Sequence, residues 1–111
     1  MARYTLHAVA VPSNELHQVF LKILESCRLV IIHDTRDYVM AREAPNGTPF
    51  TKLVTVEGLI DTTGATHDSI SLEVVVKNEE LPIHSDNHCS RMRDTVSGAL
   101  EESGLWKIAA T

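Results

Sequence analysis

The stretch SISLEVVVKN, residues 69–78, alternates apolar and polar side chains with a period of two, which is typical of a β-strand. Its apolar members point to one side and its polar members to the other: Ile70, Leu72, Val74 and Val76 against Ser71, Glu73 and Lys77. An antiparallel sheet with one buried and one solvated face produces this pattern. The stretch therefore predicts a strand in a sheet that is covered on one side.

The residues before this stretch predict three more strands of the same sheet. They are rich in β-branched residues and span 29–34, 38–44 and 50–60, with the short links TRD, APNGTP and DTTGATHD between neighbours. Gly47, after Asn46, and Gly64 are expected to supply the positive φ angles of tight reversals. The four strands together predict an antiparallel meander.

One further strand and two helices flank the meander. The alternation in RYTLHAVAV predicts a strand over 3–11, and apolar residues at helical spacing predict a helix over 14–27. A second amphipathic helix is predicted over 88–103, with Gly104 ending it. We expect Trp106 to fold back onto the domain, because so large an aromatic side chain is seldom left in solvent.

The predicted order β-α-β-β-β-β-α defines an α+β protein with two layers and both helices on one face of the sheet. This order resembles the single repeat of TATA-box-binding-protein-like folds and the core of helix-grip domains. The resemblance covers nearly the whole chain and rests on topology. A length of 111 residues suits one domain, so we expect residues 1–111 to form a single α+β unit.

Composition and charge narrow the classes of function. The formal net charge is −5 and Lys and Arg do not cluster, so we do not expect a nucleic-acid partner. No stretch approaches 18 consecutive apolar residues, so no membrane span is expected. Cys27 and Cys89 are the two cysteines, and no export signal is apparent. We therefore expect reduced thiols in the cytoplasm.

The segment PIHSDNHCSRM, residues 82–92, carries the densest group of chemically active side chains. His84, His88 and Cys89 could ligate zinc. Cys89 could also serve as a nucleophile, since a helix N-terminus lowers a thiol pKa and a nearby histidine could act as its base.

A purely structural role is the alternative to the zinc site and to the nucleophile. Asp86 or Asn87 could cap the second helix, with Cys89 as its first inward residue. His88 would then point about 100° away from Cys89, so the two could not easily converge on one ion. We therefore favour capping and predict no catalytic residue, metal ion or cofactor, with His84, His88 and Cys89 as weak metal candidates.

The polar side of the predicted sheet is not fully polar. Leu53, Leu59 and Val75 fall among its polar positions, and exposed apolar residues on adjacent strands suggest a surface that a partner covers. We therefore predict a non-catalytic domain that self-associates or binds a protein partner through this face.

Two other functions stay open. The helix-grip resemblance implies a carrier of a small apolar ligand, with a cavity between the sheet and the last helix. A thiol-dependent or zinc-dependent activity centred on Cys89 is the other alternative.

Overall fold

The computed structural model of the protein describes residues 1–109 and shows an α+β fold. Two helices accompany six strands, in the order β1 (Ala2–Ala10), α1 (Leu16–Ser26), β2 (Leu29–Asp34), β3 (Tyr38–Glu43), β4 (Thr55–Asp61), β5 (Ile70–Asn78), α2 (His88–Glu102) and β6 (Lys107–Ile108). The strands form one antiparallel sheet in the order β2-β3-β4-β5-β1-β6. The predicted fold class and the meander from β2 to β5 are confirmed.

The first strand completes the sheet from the far side of the meander. β1 pairs with β5 over nine consecutive residue pairs, from Ala2 opposite Asn78 to Ala10 opposite Ile70. The two-residue strand β6, which the sequence analysis did not predict, pairs with β1 at Ala8 and Val9. β1 therefore lies inside the sheet, whose two edge strands are β6 and β2.

Both helices pack on the same face of the sheet, as predicted. Alternate residues of each strand point towards them, and their apolar stripes close one core whose largest fully buried side chains are Phe20, Leu24, Leu72 and Leu100. Burial of these side chains is the main favourable contribution to folding. Trp106 is 2% exposed and joins this core, which confirms its predicted role as an anchor.

The space between α2 and the sheet is filled by side chains from the helix. Cys89, Met92, Val96 and Leu100 follow one another along its inward stripe and are all buried against the sheet core. This is the region in which the helix-grip resemblance implies a ligand cavity.

Two predicted details differ from the structure. Gly47 and Gly104 have φ angles of 77° and 75°, as expected, but Gly64 lies outside the left-handed region. The Asp61 carboxylate accepts hydrogen bonds from the amides of Thr63 and Gly64 there and shapes the turn without a positive φ.

The third meander strand also begins later than predicted. A 3₁₀ turn occupies Phe50–Lys52, where the amide of Lys52 donates to the carbonyl of Pro49, and β4 starts at Thr55. The predicted strand start at residue 50 is wrong, because the residues after Pro49 satisfy their backbone groups locally.

The separation of α1 from the sheet depends on Gly58 of β4. A Cβ atom placed on Gly58 would lie 2.4 Å from the Cε2 and Cζ atoms of the Phe20 ring. The missing side chain is therefore the space that the ring occupies.

We predict that Gly58→Ala destabilises the protein by about 2 kcal/mol, because the added methyl group must displace a fully buried ring. Chemical denaturation followed by circular dichroism measures the change. Gly98→Ala on the exposed side of α2 is the matched control, since nothing lies within 4 Å of its Cβ position, and it should stabilise by about 0.5–1 kcal/mol. Equal effects of the two substitutions would contradict the packing argument.

Candidate functional site

The N-terminus of α2 is closed by a reciprocal pair of side chains. The Asn87 side chain accepts from the Ser90 amide, and the Ser90 hydroxyl accepts from the Asn87 amide, each at 2.9 Å. This capping box satisfies two backbone donors that the helix cannot pair itself. Asn87, one of the two predicted capping residues, is therefore the N-cap.

A glutamate from the preceding segment supports the same helix start. Oε1 of Glu80 accepts hydrogen bonds of 2.8 Å from the Cys89 amide and from the Asn78 side chain. Partial burial acts to raise the pKa of Glu80, but the hydrogen bonds from Asn78 and Cys89 and the nearby His88 and Lys52 outweigh it and leave the pKa below its ordinary value. Glu80 thus connects the end of β5 to the first turn of α2, a role that its sequence context does not reveal.

Cys89 lies in the core with no exposed surface. Its Sγ donates to the carbonyl oxygen of Val76 at 3.4 Å. Burial raises the pKa of the thiol to about 11, and the charge of Glu80 adds to this rise while Arg93 opposes it. The environment favours the neutral thiol, whereas nucleophilic and metal-binding cysteines act as thiolates.

The side chains of the two histidines in this segment, His84 and His88, do not point towards Cys89. Nε2 of His88 lies 2.7 Å from Oε1 of Glu43, so its ring contacts the end of β3 rather than the sulfur of Cys89. His84 is exposed, and its carbonyl oxygen accepts from the Asn87 side chain. The structure therefore does not bring the three candidate ligands together.

Within residues 1–109, no three His, Cys, Asp or Glu side chains are grouped closely enough to hold a metal ion. In the same part of the chain, no helix is long and apolar enough to cross a membrane.

The three predicted interface residues occupy different positions. Leu59 on β4 is 51% exposed, and it is paired with Glu73 and diagonally adjacent to Val75 on β5. Val75 faces the outer side but is 8% exposed. Leu53 precedes β4, beside the 3₁₀ turn, and is half-buried.

A polar network lies at the centre of the outer face. The Glu57 carboxylate is 2.5 Å from Nζ of Lys77 and accepts from the Tyr38 hydroxyl at 3.0 Å. The hydrogen bond from Lys77 is the largest cause of the lowered pKa of Glu57. Because Glu57 is the cross-strand partner of Val75, this network adjoins the valine that is predicted for the interface.

The edge strand β2 carries two exposed apolar side chains that the sequence analysis did not predict for the interface. Val30 is 55% exposed and Ile32 is 54% exposed. The pairing register shifts between Ile31 and His33, so Ile32 and His33 together oppose Met40 on β3. Alternation in LVIIHD was the signal that could have identified Val30 and Ile32.

Together these side chains form what we term the outer apolar strip. It consists of Val30 and Ile32 on β2, the half-buried Tyr38 and Met40 on β3, and Leu59 on β4. Tyr38 is the direct partner of Leu59, so the strip crosses three adjacent strands. It borders the polar network at Tyr38.

The chain matches no protein-family model and no curated protein.

We predict that Cys89 in the native protein resists alkylation. A pKa that moves from 9.0 to about 11 lowers the thiolate fraction at pH 8 about 100-fold, and burial blocks access further. Iodoacetamide labelling with peptide-resolved mass spectrometry separates Cys89 from Cys27, and the urea-unfolded protein at the same pH is the control. Rapid native labelling of Cys89 would contradict this expectation.

We also predict that Glu80→Gln destabilises the protein by about 1 kcal/mol at pH 7, through weaker hydrogen bonds to Asn78 and Cys89. The folded-state pKa of Glu80 lies below the unfolded value, so its stabilisation is present above that value and is lost as the pH falls through the folded pKa. Denaturation measured from pH 7 down to acid should show the two proteins converge. Glu79→Gln is the control, and a pH-independent difference would be incompatible with this role.

Proposed function

We propose that this protein is a non-catalytic binding module that forms a homodimer through the outer apolar strip. The supporting observation is the exposure of Val30 and Ile32, each more than half exposed, on the edge strand β2, which β3 connects to the exposed Leu59 of β4. Apolar side chains grouped on adjacent strands are typical of a surface that another protein covers.

The position of the strip favours a second copy of the chain as the partner. An interface that straddles a two-fold axis needs one surface that complements itself. The strip is apolar and reaches the sheet edge, so two copies can place it face to face without opposing like charges at its centre. Charges of both signs adjoin it, since Arg42 is the cross-strand partner of Val30 and Glu73 that of Leu59, so its rim favours no strongly charged partner.

The β-bulge supports packing of side chains rather than extension of the sheet. A register shift at Ile32 interrupts the regular backbone of β2, and natural edge strands use such bulges to avoid pairing with other strands. The dimer that we propose therefore depends on side-chain contacts across the outer face.

A cytoplasmic location is part of the same proposal. Cys27 and Cys89 are both free and buried, which is compatible with a reducing compartment.

We predict that the wild-type protein is a dimer by size-exclusion chromatography with light scattering, and that Ile32→Lys raises the dimer dissociation constant at least about tenfold. The lysine would place a charge inside the contact. Leu59→Asp should act in the same direction from the other end of the strip.

Leu81→Lys provides the matched control. Leu81 is 69% exposed, but it lies between β5 and α2, outside the sheet, so its substitution should leave the mass unchanged. Circular dichroism would verify that each variant is folded. A wild-type protein that stays monomeric at high concentration, or a dimer insensitive to both strip substitutions, would refute the proposal.

A further inference from the structure

A second feature of the outer face is a pocket of about 270 Å³. Its floor is made by outward side chains of three adjacent strands, Met40 and Arg42 on β3, Glu57 on β4 and Lys77 on β5. Phe50 and Leu53 line one side of the pocket. The pocket is smaller than most drug-sized sites and suits a compact molecule.

The wall formed by the 3₁₀ turn is tied to the end of β5. The Asn78 side chain donates to the carbonyl of Lys52, and the Glu79 amide donates to the carbonyl of Thr51, both at 3.1 Å. These bonds hold the turn against the sheet, so the pocket exists before any ligand arrives. A preformed site avoids the entropic cost of ordering a loop on binding.

Of the two basic side chains in the pocket, Lys77 has a carboxylate partner within residues 1–109 and Arg42 does not. Lys77 is paired with Glu57, which also accepts from Tyr38, so this carboxylate has two donors already. Arg42 uses only its Nε, in a long hydrogen bond of 3.4 Å to the Thr55 hydroxyl. Across residues 1–109 no carboxylate forms an ion pair with Arg42. Its terminal nitrogens can therefore bind an anion.

The remaining lining defines which anion fits. Met1, Met40, Phe50 and Leu53 are apolar, and Phe50 is 74% exposed, so an apolar group could cover it. Glu79 also lines the pocket, and its negative charge repels a multiply charged anion such as phosphate more strongly than a monoanion. A planar carboxylate suits the paired donors of a guanidinium.

We infer that this pocket binds a small monocarboxylate with an apolar body, with the carboxylate on Arg42 and the body against Phe50, Leu53 and Met40. The site shares Met40 with the outer apolar strip, but its charged group, Arg42, is not part of the strip. It differs from the cavity that the helix-grip resemblance implies, because it lies on the opposite face of the sheet from α2.

Protein-observed NMR titration tests the inference with 3-phenylpropionate and 4-methylpentanoate as probes, and with 2-phenylethylamine and inorganic phosphate as comparisons. The carboxylates should produce saturable shifts at the amides of Arg42, Thr55 and Lys77. A dissociation constant of about 5 mM is expected for ligands of this size. The amine and phosphate should bind at least about tenfold more weakly.

Arg42→Gln should weaken carboxylate binding at least about tenfold. Arg91→Gln, which changes an exposed arginine on α2 that is paired with Asp86, is the matched control and should bind as the wild type does. The amide spectra report whether each variant is folded. The inference fails if neither carboxylate gives saturable shifts, if the amine or phosphate binds equally well, or if a folded Arg42→Gln protein retains wild-type affinity.

Discussion

The contact between Phe20 and Gly58 determines how closely α1 approaches the sheet, and the two-layer structure depends on that distance. The ring lies where a side chain on β4 would otherwise stand, so the helix can lie close to the middle of the sheet. The core residues of β3, β4 and β5 then form one buried cluster with the apolar stripe of α1. α2 covers the neighbouring part of the same face through Cys89, Val96 and Leu100. Within residues 1–109, neither helix covers the opposite face of the sheet.

The uncovered face is not uniform. The pairing of Glu57 with Lys77 and Tyr38 places a satisfied polar network at its centre. Exposed apolar side chains lie on its β2 side, whereas the pocket with Arg42 lies towards the 3₁₀ turn. The proposed dimer contact and the proposed ligand pocket therefore use different chemistry on one surface. Met40 lines the pocket and belongs to the strip, so the two proposed sites share this side chain.

Much of the fold was predictable because period-two alternation and helical stripes follow directly from burial on one face. This applies to β5, to α1 and to the inward position of Cys89. The features that the sequence did not predict were local details of turns and short strands. Asp61 replaced a positive φ at Gly64 with side-chain hydrogen bonds, and β6 was too short to leave a pattern. The inward orientation of Cys89 followed from helical spacing. The contacts of Glu80 with Cys89 and of Glu43 with His88 could not be predicted in this way. Glu80 lies nine positions before Cys89 and Glu43 lies 45 positions before His88, and these pairs come into contact only when the chain folds.

The pairing of β1 with β5 also has a consequence for the order of assembly. Ala10 lies opposite Ile70 and Ala2 opposite Asn78, so these contacts join residues that are 60 or more positions apart in the chain. During synthesis, β1 has no partner strand until the whole meander has been made, and its inward side chains remain unprotected for that interval. Long-range pairings of this kind slow folding and expose strand edges to aggregation. The protein should therefore depend more on protection of its first ten residues during synthesis than on the intrinsic speed of the hairpins.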